Sequence, residues 1–171
     1  MNRSVQPPPL PLPLPLLFLD VDGPLIPFGG QGYPTYGPPD ADAHPLLARV
    51  DPALGPRLAA LPCELVWATT WMEDANEVLG PRLGLPRLPV VDWPEPSAED
   101  GRGGRHWKTR TLVARAAGRA FVWVDDEITA ADRAWVAAHH PGRALLHRVD
   151  PRLGLGEADF AALDGWLRTG R

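Results

Sequence analysis

At 171 residues, 44% hydrophobic and 22% charged, the chain can bury one substantial core and lacks the weakly apolar, highly charged balance of disordered polymers. Its net charge of −4 argues against a protein that grips duplex nucleic acid by neutralising many phosphates, while leaving small phosphorylated substrates compatible. Cys63 is the lone cysteine, so an intrachain disulfide and a cysteine-rich zinc site are excluded and a reducing cytoplasm is the expected compartment.

Alternating proline and leucine fill the first residues. The six prolines from Pro7 to Pro15 break any helical signal-peptide core, so residues 1–12 are read as a polyproline-like tail ahead of one domain over 13–171. No stretch approaches the roughly 20 apolar residues a membrane span requires. LLFLD (16–20) is the first predicted strand. A Gly-, Pro- and Tyr-rich surface loop follows from Gly23 to Asp42, then a helix over 52–60 and the strand ELVWAT (64–69). A helix over 72–80, the strand LPVV (88–91) and a second loop from Asp92 to Arg105 come next. The chain closes on a helix over 109–117, the strand AFVWVD (120–125), a helix over 129–138, the strand ALLHRV (144–149) and a helix over 157–168. Thr129 with Asp132 three residues on forms a capping box, and Phe160, Leu163 and Leu167 form one stripe. Strand runs this apolar suit a parallel sheet covered on both faces, and their alternation with helices indicates a doubly wound α/β fold.

Ligands of such folds sit beyond the carboxyl ends of the strands, where this chain places Asp20, Thr69, Asp92 and the pair Asp125–Asp126. Asp20 and Asp22, two apart, would share a face if the strand continued, and their like charges call for a cation or a phosphate proton; the plain alternative is an Asp-Gly turn. Asp125 and Asp126 offer oxygens suited to a hard cation. Thr69 and Thr70 offer hydroxyls at the same edge. Lys108 is the only lysine among 17 basic residues, which points to a wanted compact charge. Arg102, Arg105, His106, Lys108 and Arg110 make a basic cluster, readable as a lure for polyanions or as a solvated loop balancing Glu95, Glu99 and Asp100. Trp71 and Trp107 could stack on a base or belong to the core. GRGGRHWKT lacks the glycine that a phosphate-cradling loop needs before its lysine, since Trp107 stands there.

The ordered set DVDG, Thr69, Lys108 and Asp125–Asp126 resembles the four motifs of the haloacid dehalogenase (HAD) superfamily. VWATTW, HWKT, FVWVDDE and VDPRLGL are similar, more narrowly, to the small HAD domains associated with RNA-repair proteins. The resemblance implies a Rossmann-like HAD fold with a central parallel sheet, helices on both faces and no cap domain. It also implies a Mg²⁺-dependent phosphomonoester hydrolase. Asp20 is then the nucleophile and a metal ligand, and Asp22 the proton donor and acceptor whose carbonyl also meets the metal. Asp126 is the direct ligand with Asp125 on a metal-bound water, or the reverse. Thr69 binds a phosphoryl oxygen, with Thr70 as its alternative, and Lys108 neutralises charge. Arg105 and Trp71 join Thr70 as candidate substrate contacts. The expected partner is a phosphorylated substrate, nucleotide or nucleic-acid end among them, with no membrane. A non-catalytic phospho-ligand or protein-binding module and a phosphotransferase are the alternatives. Pro24 stands where this superfamily more usually has Thr or Val.

Overall fold

The computed structural model describes residues 13–37 and 44–170; the tail read over 1–12, and residues 38–43 of the first loop, lie outside the described residues. Four strands, β1 (Leu16–Leu19), β2 (Glu64–Trp67), β3 (Phe121–Asp125) and β4 (Ala144–Arg148), pair in parallel in the order β2-β1-β3-β4. Five helices accompany them: α1 (Leu54–Ala59), α2 (Gly80–Leu83), α3 (Thr109–Ala116), α4 (Ala130–His139) and α5 (Glu157–Arg168).

Alternation within each strand sorts the core into two layers. Leu17, Leu19, Trp67, Val122 and Val124 face α1, α2 and α5, with Leu58, Leu83, Phe160, Leu163 and Leu167 packed on them. Leu16, Phe18, Val66, Phe121, Trp123 and Leu146 point the other way, against Leu112 and Ala116 of α3 and Val136 of α4. All residues of β1 and β3 are buried, which is why those runs carry no polar alternation. The expected doubly wound architecture, with helices on both faces, is therefore present.

Two expected elements differ. LPVV is not a strand: it touches the sheet through one bridge, Trp67 to Val90, and two hydrogen bonds, Trp67 N to Pro89 O (2.9 Å) and Val91 N to Trp67 O (2.8 Å). Pro86 and Pro89 lack N–H donors, so the segment lies along β2 without extending the ladder. The helix expected over 72–80 is a π-turn, Ala75–Leu79, running into the single turn of α2. Pro81 has no N–H for a regular ladder there. Asn76 anchors the turn, accepting from Trp67 Nε1 (3.0 Å) and Leu88 N (2.9 Å) and donating to Leu88 O (2.9 Å).

β1 has β2 on one side and β3 on the other, so the chain reverses its winding direction there. That is the switch point at which the carboxyl ends of two neighbouring strands part to leave a crevice. Among the described residues, the connection from β1 to β2 holds only turns, the short 3₁₀ segment Pro45–Arg49 and α1, so no second layer stands over that crevice. No helix among the described residues is long and apolar enough to cross a membrane.

Candidate active site

β1 delivers Asp20 to the crevice. Its backbone N–H donates to Val124 O (3.0 Å), and Leu19 O accepts from Ala68 N (2.8 Å), so Asp20 leaves the sheet between the ends of β3 and β2. Asp125 is the last residue of β3, and the register Leu19 to Val124 makes Asp20 and Asp125 neighbours. Lys108, just ahead of α3, joins them from the other side: its Nζ stands 3.1 Å from Asp20 Oδ1 and 2.8 Å from Asp125 Oδ2. The ammonium is buried yet its pKa is raised, because the two carboxylates outweigh the desolvation that pulls it down.

Asp126 completes the cluster. One carboxylate oxygen from each of Asp20, Asp125 and Asp126 lies within 4.8 Å of the others. Burial pushes Asp20 up to about 7 against the pull of Lys108, and burial with the Asp125 charge pushes Asp126 up to about 6. Three carboxylates and one ammonium leave this buried cluster two positive charges short, the deficit that one divalent cation makes good. The donor set fits a hard metal ion: all oxygen, closely spaced, at the carboxyl edge of the sheet.

Asp125 and Asp126 are held differently. Asp125 Oδ2 accepts from Lys108 Nζ and Trp123 Nε1 (3.2 Å), and its Oδ1 accepts from Glu127 N (3.0 Å). The carboxylate of Asp126 accepts from no side chain among the described residues, while its backbone carbonyl is fixed by Arg148 Nε (2.8 Å). Its neighbour is Gly23, where a Cβ would fall 2.7 Å from Asp126 Cγ and the backbone φ is +92°. Only glycine serves both the left-handed turn and the close approach.

That turn carries Asp22. Gly23 N bonds Ile26 O (3.0 Å), and Leu25 N and Ile26 N both donate to Val21 O (3.0 Å each). Pro24 fits because its absent N–H is not called on, and its carbonyl accepts from Leu155 N (2.9 Å). Asp22, half-buried, accepts from Trp71 Nε1 (3.0 Å). Thr69 is fully buried beyond β2; its Oγ1 accepts from Trp71 N (3.2 Å), which leaves the hydroxyl proton to donate elsewhere. Thr70, the other hydroxyl at this edge, is exposed.

The remaining sequence candidates are held by partners of their own, with the His106 and Trp107 rings 5.6 Å apart between centroids. Arg105 donates to Glu99 O (2.5 Å) and lies over the Trp135 ring at 5.0 Å. Arg102 pairs with Glu99 at 2.9 Å, and His106 pairs with Glu127 at 3.1 Å. Arg102, Arg105 and His106 of the basic cluster thus have local partners, while Lys108 bridges Asp20 and Asp125; a His106 ring nitrogen also lies within 4.8 Å of an Asp125 carboxylate oxygen. Trp107 packs edge-on against Trp93, 4.8 Å between centroids. Burial pushes the Cys63 thiol up to about 12, which removes it as a nucleophile.

Asp132 is a residue whose wider part was not legible. It is fully buried and takes four donors: His106 N (2.7 Å), Thr109 Oγ1 (2.6 Å), Thr129 N (2.7 Å) and Thr129 Oγ1 (2.8 Å). One carboxylate therefore caps α4 and clamps both flanks of Lys108. His106 adds a further hold, its Nδ1 accepting from Lys108 N (3.1 Å).

A protein-family profile described as the HAD domain in Swiss Army Knife RNA repair proteins matches residues 16–160. No curated protein and no solved structure matches the chain.

Proposed function

The chain belongs to the HAD domain family of Swiss Army Knife RNA repair proteins, and from that premise we propose that it is a Mg²⁺-dependent phosphomonoester hydrolase acting through an aspartyl-phosphate on Asp20. One observation carries the reading: Lys108 bridges Asp20 and Asp125 inside a three-carboxylate cluster. A buried nucleophilic carboxylate facing a phosphate dianion needs positive charge on both sides, and this arrangement supplies half and has room for the rest.

Asp20 and Asp126, with Asp125 behind them, would hold Mg²⁺, which when bound offsets the charge of phosphate and carboxylate together. Asp126 is assigned as the direct ligand because its carboxylate is unspent, whereas both oxygens of Asp125 are already engaged. Asp20 attacks phosphorus as the bond to the leaving oxygen breaks, and Asp22 gives that oxygen its proton. Water then cleaves the acyl phosphate, with Asp22 taking the proton, to release inorganic phosphate and restore Asp20. Lys108 draws the Asp20 carboxylate towards its charged form before the attack and offsets charge on the transferring phosphoryl group. Thr69 donates its hydroxyl proton to a phosphoryl oxygen.

The substrate we assign is a nucleotide or nucleic-acid end. Two observations support it: the crevice stands open among the described residues, and a cavity of about 310 Å³ lies beside the turn that follows Asp22. Tyr33, Tyr36, Arg49 and Arg152 line that cavity, aromatic faces and guanidinium groups suited to a base and its flanking phosphate. Cytoplasmic residence is part of the same proposal, resting on the lone, part-buried cysteine.

The test is hydrolysis of an aryl phosphate with and without Mg²⁺ by wild type and Asp20→Asn, followed by a panel of nucleotides, phosphorylated oligonucleotides and sugar phosphates. Metal-dependent turnover lost in Asp20→Asn is expected. Equal rates for the two proteins would turn the reading towards a binding module, and faster turnover of sugar phosphates would remove the substrate assignment.

A further inference from the structure

Between Thr69 and the π-turn the chain does something costly. Met72 has φ = +51°, a left-handed backbone that a side-chain-bearing residue disfavours and keeps only where its surroundings over-determine it. The surroundings are specific. Thr69 O accepts from Trp93 Nε1 (3.1 Å) and from Met72 N (3.4 Å), Trp71 N returns to Thr69 Oγ1 (3.2 Å), and Trp71 O accepts from Asp74 N (3.0 Å). The result of this tight reversal is the placement of one group: the Trp71 indole, packed against the core with its N–H on Asp22 Oδ2 at 3.0 Å. His44 meets the same ring edge-on, 6.0 Å between centroids.

We propose that Trp71 is a positioning residue for Asp22. The indole N–H holds one carboxylate oxygen, fixes the rotamer, and leaves Oδ1 as the oxygen that exchanges the proton with the leaving group and then with water. A carboxylate on a short turn is otherwise free about χ1 and χ2, and general acid catalysis falls off when the proton is not held within hydrogen-bond reach of the leaving oxygen. The same contact gives Trp71 a reason to face the core and Asp22 with its polar edge rather than lie open as a stacking platform. The proposal rests on the phosphatase reading above.

The test compares two substrates differing only in their need for that proton. Dinitrophenyl phosphate expels a leaving group that departs without protonation; phenyl phosphate expels one that does not. Trp71→Phe keeps an aromatic ring and removes the donor. It is expected to lower kcat/KM for phenyl phosphate by about tenfold or more and for dinitrophenyl phosphate by less than about twofold. Asp22→Asn should show the same contrast, and adding Trp71→Phe to it should change neither rate further. Equal losses on both substrates, or additive losses in the double variant, would overturn the proposal. Inactivity of the wild type on both substrates would instead remove the phosphatase reading and this one with it. A second measurement does not depend on the Trp71 variant folding. Among the seven tryptophan indole N–H resonances of the 171-residue chain, Asp22→Ala should move that of Trp71. An unmoved Trp71 resonance would also overturn the assignment.

Discussion

On the α3–α4 side of the carboxyl edge, the segment bearing Lys108 is tied down from both ends by the buried carboxylate of Asp132 and by the His106 ring. On the α1–α5 side, the loop from Pro24 to Gly37 is held differently. Arg49 reaches across to Pro27 O (3.0 Å) and lies 4.6 Å from the Tyr33 ring centroid, the Tyr33 hydroxyl oxygen accepts from Gly30 N, and Phe28 N donates to Pro151 O (2.8 Å). One bank is a buried network of charge-assisted hydrogen bonds; the other is main-chain contacts and a cation–π pair around a cavity. The difference teaches a division of labour. On the phosphatase reading proposed above, the buried bank would stabilise charge at phosphorus, where electrostatic stabilisation depends on preorganised geometry, and the cavity side would receive the leaving group.

Lys108→Met should break the rigid bank most severely. Activity should fall by about 10²–10³-fold, the scale seen when one charge-stabilising group is removed from an active site. Stability should fall by about 3–5 kcal/mol near pH 8, because Asp20 and Asp125 lose the cation that accompanies their burial. Denaturant titrations at pH 8 and pH 5 check this, and the penalty should shrink at pH 5 as Asp20, already pushed up to about 7, takes up a proton. A variant as stable as wild type at pH 8 would mean that the cluster is not electrostatically tense.

Asp132→Ala ranks next. It removes the carboxylate half of the α4 capping box and strands His106 N and Thr109 Oγ1, so a loss of about 3 kcal/mol is expected by melting, with slower turnover because Lys108 loses its clamp. Full activity in a destabilised Asp132→Ala would separate helix capping from the site and weaken the contrast between the banks.

These two residues also mark how far the sequence could be read. β1 and β3 were legible because a short, wholly apolar run that stops at an aspartate fits a strand buried on both faces and little else. The residues at their ends, together with Lys108, meet because parallel pairing brings those ends side by side. The capping box of Thr129 and Asp132 was legible as local spacing, but its grip on residues 106 and 109 depends on the approach of α3 to α4, which no local pattern encodes. The same holds for Trp71 and Asp22, 49 positions apart: the sequence leaves Trp71 open between base stacking and the core, and its hydrogen bond to Asp22 depends on the turn at Met72. LPVV misled because hydrophobicity makes a strand only where backbone donors are available, and Pro89 withholds one.

In the presence of chelator the carboxylate cluster should show a smaller, pH-dependent effect. Asp20, pushed up to about 7, and Asp126, pushed up to about 6, bind protons more tightly folded than unfolded. Their contribution to stability is therefore complete below about pH 4 and is lost as pH rises through 6 and 7. Melting scans in chelator should show the midpoint falling by a few degrees between pH 5.5 and pH 8. Mg²⁺, favouring the charged carboxylates, should restore the midpoint at pH 8 and do little at pH 5.5. A fall that Mg²⁺ leaves untouched would place any metal binding outside this cluster.

Arg49→Ala probes the cavity side and should have the mildest consequence. The guanidinium contributes one hydrogen bond to Pro27 O and the contact with Tyr33, together about 1–2 kcal/mol of local order. Among the described residues Arg49 faces a carbonyl and a ring rather than a carboxylate, so, unlike at Lys108, its loss strands no buried charge there. Its effect should appear where the cavity meets the substrate. KM for a nucleoside monophosphate should rise about 3–10-fold while kcat changes by less than about twofold, the pattern of lost binding felt equally by ground and transition states. If kcat instead fell as far as in Lys108→Met, the loop would be setting the geometry at phosphorus, and the two banks would share one task.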